Sequence, residues 1–190
     1  METTFCLKKQ LHIHFLGGQE SDQAFVNGLE ILNSKMEGNL IYYTLPDNHG
    51  LSENSVALMT IDWPRRYRLM RLHFAAELVL ELVTKKLHLE KVGAHISEEK
   101  ARIDFRADFN VSSTFEDILT DYNAIINSDK PIQTGFSDTE TQRRFWKIDG
   151  FAEVPCGGTH VKSTKEVGLV ALKRSKPGKS LERIEIRLVD

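Results

Sequence analysis

Four side chains in this 190-residue sequence have types and spacings that could hold a metal ion. His73 and Glu77 stand four residues apart in a stretch of helical character, so both can face one centre from a single helix. Cys156-Gly157-Gly158-Thr159-His160 offers a thiolate and an imidazole from one loop. Sulfur combined with imidazole nitrogen selects zinc over magnesium or calcium. Four such donors suit its tetrahedral preference. Gly157 and Gly158 would let the loop turn tightly and bring backbone N–H groups close to a substrate. Each pair alone has an ordinary explanation: a helix-surface pair in one case, a chance coincidence of a loose motif in the other. Together they predict Zn2+ held by His73, Glu77, Cys156 and His160, with Glu77, Gly157, Gly158 and Thr159 nearest the reacting group.

These donors need elements to carry them. Asp62 can cap a helix, and Pro64 fits its first turn, where a missing N–H costs nothing. Leu69, His73, Ala76, Leu80, Val83 and Leu87 then recur at alternating spacings of four and three, which predicts an inward-facing stripe containing His73. A hairpin follows, Val92 to Ile96 and Lys100 to Phe105. A second helix is expected from Ser113 to Ser128, opened by the capping-box spacing Ser113-Thr114-Phe115-Glu116, with Phe115, Leu119, Tyr122 and Ile126 as its apolar face and Pro131 at its exit. Arg144 to Ile148, Val167 to Lys173 and Leu181 to Val189 read as strands, with Lys176-Pro177-Gly178-Lys179 as the last turn. Before the first helix, Leu11 to Leu16, Asn39 to Leu45 and Ser55 to Asp62 are strand candidates, and Asp22 to Ser34 looks helical. The expectation is an α+β fold: an antiparallel or mixed sheet packed on a long metal-binding helix (residues 63–190), preceded by a small β-rich segment (residues 1–62).

Hydrophobic residues at 41% and charged residues at 27% are ordinary for a soluble globular chain. Two cysteines cannot build a disulfide framework, which points to a reducing, cytoplasmic setting. The sequence has neither a signal-peptide pattern at Met1 nor an apolar run long enough for a membrane. The net charge of -2 hides an asymmetry. Residues 1–62 carry three lysines and eight acids, whereas residues 155–190 carry eight Lys/Arg and four acids. Arg65, Arg66 and Arg68 cluster at the helix entrance, and Lys173, Arg174, Lys176 and Lys179 crowd the last turn. Solvated faces explain such clusters, but they are also where an anionic partner would bind.

Much of the chain resembles one known family. Pro155-Cys156-Gly157-Gly158-Thr159-His160-Val161 with Thr164-Lys165-Glu166-Val167-Gly168 resembles the C-terminal motif of alanyl-tRNA synthetase editing domains and their freestanding relatives, the AlaX proteins. Asp62-Trp63-Pro64-Arg65-Arg66-Tyr67-Arg68-Leu69-Met70-Arg71-Leu72-His73 resembles the segment entering their metal-binding helix. The likeness continues through Ile103-Asp104-Phe105 and Gly178 to Ile186, so it covers the chain from about Asp62 onward. It implies zinc-dependent hydrolysis of the ester between a wrong amino acid and tRNA, typically seryl- or glycyl-tRNA of the alanine system. A methyl-sized pocket cannot strongly exclude those residues, so a second hydrolytic site is needed. The acceptor end of tRNA would then meet the two basic clusters.

Two positions depart from that pattern. The family's helix reads His-x-x-x-His, and Glu77 stands where the second His would be. Phe74 occupies a place that commonly carries a small hydroxyl residue. Glu77 has three readings: a direct zinc ligand, a partner of an arginine in a degenerate site, or a general base beside an open metal position. The degenerate reading would make the chain a non-catalytic tRNA-binding homologue.

Overall fold

The computed structural model describes residues 2–6, 18–38, 40–138, 140 and 143–189. The strand expected at Leu11 to Leu16 lies outside them. The chain forms two compact units, Met1–Leu16 with Glu20–Arg66, and Gly17–Gln19 with Tyr67–Asp190. The fold is α+β, and every strand pairing within its named sheets is antiparallel.

The first unit is built from short strands. β1 (Glu2–Cys6), β2 (Ala24–Val26), β3 (Leu29–Glu30), β4 (Asn33–Glu37), β5 (Leu40–Pro46) and β6 (Met59–Ile61) make two three-stranded sheets, ordered β1-β5-β4 and β3-β2-β6. The helix expected from Asp22 to Ser34 is absent. That segment is β2, β3 and the start of β4. Asn27 and Gly28 both take positive φ, which gives the hairpin turn between β2 and β3. The Asn27-Gly28 pair is a turn signal that outweighs the apolar spacing around it. The strand expected from Ser55 to Asp62 shrinks to β6.

α1 (Trp63–Leu87) begins as the sequence predicts. Asp62 Oδ1 accepts from the Arg65 N–H at 3.0 Å, the N-cap bond. Lys85 and Lys86 lie in the last turn, favourable for the helix dipole. His88 follows with φ 52 and stops the helix. The predicted stripe is too narrow, however. Leu72, Phe74, Ala75, Leu78, Val79 and Leu82 are buried as well, while Leu80 and Leu87 are only half-buried. A helix covered on several sides is buried beyond one face.

The second unit has a four-stranded sheet ordered β12-β13-β8-β7. Its strands are β7 (Glu90–Ile96), β8 (Ala101–Arg106), β12 (Val170–Gly178) and β13 (Leu181–Leu188). Ile103, Phe105, Ile184 and Ile186 put one face of the sheet into the core shared with α1. A second sheet, ordered β11-β10-β9, comprises β9 (Gln133–Asp138), β10 (Arg143–Ile148) and β11 (Ala152–Pro155). α2 (Phe115–Asn127) starts two residues later and ends one residue earlier than expected, and the capping box is not used. Thr114 makes no side-chain cap bond; Asn110 instead caps a preceding 3-10 turn, Val111–Thr114, by accepting from Ser112 N. α3 is a single turn, Thr164–Val167, so the strand expected from Val167 starts only at Val170. The last turn moves to Lys179 and Ser180, because β12 continues through Pro177 beyond a bulge.

Candidate metal centre

His73, Cys156 and His160 come together inside the second unit. Their donor atoms all lie within 4.8 Å of one another. Cys156 Sγ is 3.3 Å from His73 Nε2 and 3.4 Å from His160 Nε2. A tetrahedral zinc ion with N and S ligands separates its donors by about 3.3–3.8 Å, so both sulfur–nitrogen distances already fit. α1 supplies His73, and the loop after β11 supplies the other two. Both ends of that loop are tied down. Cys156 N donates to Arg144 O at 3.0 Å, Ile132 N to Lys162 O at 2.9 Å, and Thr164 N to Lys130 O at 2.9 Å.

Gly158 is where the loop meets the helix. A Cβ there would lie 2.7 Å from His73 Cε1 and 2.9 Å from Nε2, so only glycine lets the backbone pass the ring. Its N–H points to Cys156 Sγ at 3.4 Å and favours the thiolate. Gly157 O accepts from Arg144 Nη1 at 3.3 Å. These two backbone groups therefore already have partners. Two buried atoms, Thr159 Oγ1 and His160 Nδ1, have no hydrogen-bond partner among the described residues. Orphaned polar atoms beside a sulfur–imidazole cluster suit a site that binds something further.

Burial governs the protonation of the cluster. It lowers His73 to about 4, helped by the charge of Lys91. It lowers His160 to about 3, with His73 and Arg144 adding to the effect. Both imidazoles are thus neutral, the form that binds metal. The Cys156 thiol is pushed up to about 11 by burial and by the nearby Glu77 carboxylate. A dication between these groups would reverse that last shift. The donor set therefore fits zinc.

Glu77 stands beside this group rather than within it. Its Oε1 is 3.7 Å from His73 Nε2, and its Oε2 accepts from Trp146 Nε1 at 3.1 Å. Burial raises its pKa, while the Trp146 bond and Lys91 pull the other way. Phe74 is fully buried and meets Trp146 and His160 edge-on, at ring centroids of 5.0 and 5.2 Å. It orients two rings.

Sequence reasoning missed four residues here. Gln19, only 3% exposed, places Oε1 2.7 Å from His73 Nδ1. If that oxygen accepts Nδ1–H, the Nε2 lone pair is left facing the cluster. The nearest signal was the adjacent Gly18. It takes φ +89, and a Cβ there would sit 2.5 Å from Ala94 O. Trp146 reads as core in the alternation of β10. Lys91 and Arg144 belong to the field of the site, yet nothing local marks them.

The basic positions have different fates. Arg66 is buried and forms a two-point pair with Asp22, Nε to Oδ1 at 2.7 Å. Arg65 pairs with Glu20 at 3.0 Å, and Arg68 Nε donates to Glu98 O at 2.9 Å. Arg174 is clamped by Glu182, Nη2 to Oε1 at 2.6 Å. Lys173, Lys176 and Lys179 are exposed.

Comparison with known proteins identifies the family. Residues 144–185 match the model of the threonyl and alanyl tRNA synthetase second additional domain. The alanyl-tRNA editing protein AlaX-M of Pyrococcus horikoshii is 32% identical over 178 residues, which cover 90% of this chain and 81% of that protein. AlaX-M of Saccharolobus solfataricus is 32% identical over 197 residues, covering 88% and 81%. The chain belongs to the AlaX family of alanyl-tRNA editing proteins. An alanine–tRNA ligase of Methanococcus maripaludis is 26% identical over 207 residues, 97% of this chain but 23% of the ligase. The AlaX resemblance read from the Cys156–His160 segment is thus shown. The matched domain segment contains Cys156, His160 and Trp146, while His73 and Glu77 lie upstream of it.

Proposed function

We propose that this chain is a freestanding, cytoplasmic trans-editing hydrolase whose editing domain spans residues 63–190. It cleaves the ester between a wrong amino acid, serine or glycine, and tRNA of the alanine system. The observation that carries this reading is the convergence of His73, Cys156 and His160 in a chain with AlaX-M relatives. The reaction adds water across the ester. The carbonyl carbon gains oxygen, its bond to the ribose oxygen breaks, and a proton ends on that ribose oxygen.

His73, Cys156 and His160 would hold zinc, which supplies a positive centre to orient or polarise the substrate. Gln19 sets the tautomer of His73, and Gly158 N–H supports the thiolate. Glu77 stands close enough to carry the proton from water. Its raised pKa brings it nearer to neutrality, where a base of this kind works best. Thr159 Oγ1, buried without a partner among the described residues, is a hydroxyl available to meet a polar amino-acid side chain. Phe74 is committed to ring packing, so it does not serve that purpose. The exposed Lys173, Lys176 and Lys179 would contact acceptor-end phosphates, positioning the substrate without reading sequence.

The decisive experiment is deacylation of separately charged seryl-, glycyl- and alanyl-tRNA by zinc-loaded protein. Hydrolysis of the first or second with sparing of alanyl-tRNA is expected. Metal binding without hydrolysis of any would replace the enzyme by a tRNA-binding homologue.

A further inference from the structure

The Glu77 carboxylate has two neighbours that pull it in different directions. Oε1 faces His73 Nε2 at 3.7 Å, and Oε2 holds the indole N–H of Trp146 at 3.1 Å. Trp146 is fully buried in β10, wedged edge-on against Phe74 and stacked on Phe151 at 6.5 Å with planes 16° apart. Its ring cannot swing without repacking two aromatic neighbours. A buried indole N–H also needs an acceptor. The Trp146 N–H thus engages the Glu77 oxygen that does not face His73. The three atoms grouped within 4.8 Å are those of His73, Cys156 and His160, without either oxygen of Glu77.

We propose that Trp146 is a positioning residue that keeps Glu77 out of the donor set, so that the metal is bound by three residues and one coordination position stays open beside the carboxylate. This rests on the metal-binding part of the reading above, but not on deacylation. Three protein donors with one exchangeable position are the arrangement of catalytic rather than structural zinc. Phe74 belongs to the same device, since it packs on both Trp146 and His160.

The test uses cobalt in place of zinc, because its visible absorption reports coordination directly, with thiocyanate as the probe of an open position. The full-length wild-type protein should bind one Co2+ per chain, and thiocyanate should change its spectrum. Glu77→Ala should bind Co2+ within about threefold of wild type and keep the thiocyanate response, because no donor has been removed. Trp146→Phe keeps the aromatic packing and removes only the N–H. The released carboxylate should then take the open position and weaken the thiocyanate response at least tenfold, and the double variant Trp146→Phe/Glu77→Ala should restore it. A hundredfold loss of Co2+ affinity in Glu77→Ala, or a wild-type spectrum indifferent to thiocyanate, would show Glu77 to be the fourth ligand and overturn the proposal. So would a Trp146→Phe response equal to wild type. If Trp146→Phe does not fold, Glu77→Ala and the wild type still decide the donor count. None of these readouts involves tRNA, so a chain that passes them and hydrolyses nothing refutes the editing reading alone.

Discussion

The donor cluster and the tip of the β12–β13 hairpin are both polar, and they obey different rules. In the cluster, His73 is 9% exposed and Gln19 3%, and each imidazole is driven neutral by burial. Along β12 and at its turn, Lys173, Lys176 and Lys179 are exposed. A buried polar group depends on a few named partners, so removing one is costly. An exposed charge is screened and acts only in company. Arg66 sharpens the contrast. In sequence it looks like a tip lysine, but it behaves like the cluster, since it is buried against Asp22.

Cys156→Ser and Gly158→Ala should show the largest effects. The first replaces the thiolate with a poor zinc ligand. The second drives a Cβ into the His73 ring. Each should lower zinc affinity by on the order of a hundredfold or more and abolish deacylation. Competition against a chelator measures the first quantity. A Gly158→Ala protein with wild-type zinc affinity would show that the loop can retreat from the helix.

Arg66→Ala comes next. It removes the guanidinium that pairs with the Asp22 carboxylate, whose side chain is fully buried. Breaking a buried pair costs roughly 3–5 kcal/mol, to be read from urea unfolding. A change below about 0.5 kcal/mol would place Arg66 with the surface charges.

A pH series on the metal-free protein tests the burial argument at slightly smaller scale. His73 and His160 titrate at about 4 and about 3 in the folded chain, below the 6.5 expected when unfolded. Between those values the unfolded chain binds more protons, so stability is complete above pH 6.5 and falls as pH drops. The loss from pH 7 to pH 5 should be roughly 3 kcal/mol, and His160→Gln should remove part of it. A flat stability profile across that range would mean that the imidazoles charge inside the fold.

The smallest effect belongs to the tip. Replacing Lys173, Lys176 and Lys179 with alanine should leave zinc content and unfolding unchanged. It should reduce the slope of log affinity for tRNA against log salt by about 0.7–0.9 per lost phosphate contact. An unchanged slope would move the RNA elsewhere on the molecule.

The start of α1 and much of the second unit were legible because their signals are local. Asp62 and Pro64 mark a helix start regardless of what lies around them. The alternation from Leu181 to Val189 matches β13 almost residue for residue. The first unit was harder to read, because its strands are two to seven residues long and their apolar spacing suits a helix equally well. There the Asn27-Gly28 turn decided the outcome. The extent of burial around α1 was also hidden, because one stripe is all that periodicity can display.

By itself the sequence determined which side chains are available as donors. Residue type and spacing offer His73, Glu77, Cys156 and His160 as candidate donors, three of which the fold groups together, and Gly158 marks the close approach. Only the tertiary structure decided what each donor leans on. Gln19 lies 54 residues from His73 and Trp146 lies 69 residues from Glu77, so no local pattern can pair them. Likewise Arg66 meets Asp22 across 44 residues. Residue type states which bonds a side chain is able to make. Burial, which exists only once the chain has folded, determines which of them it must make.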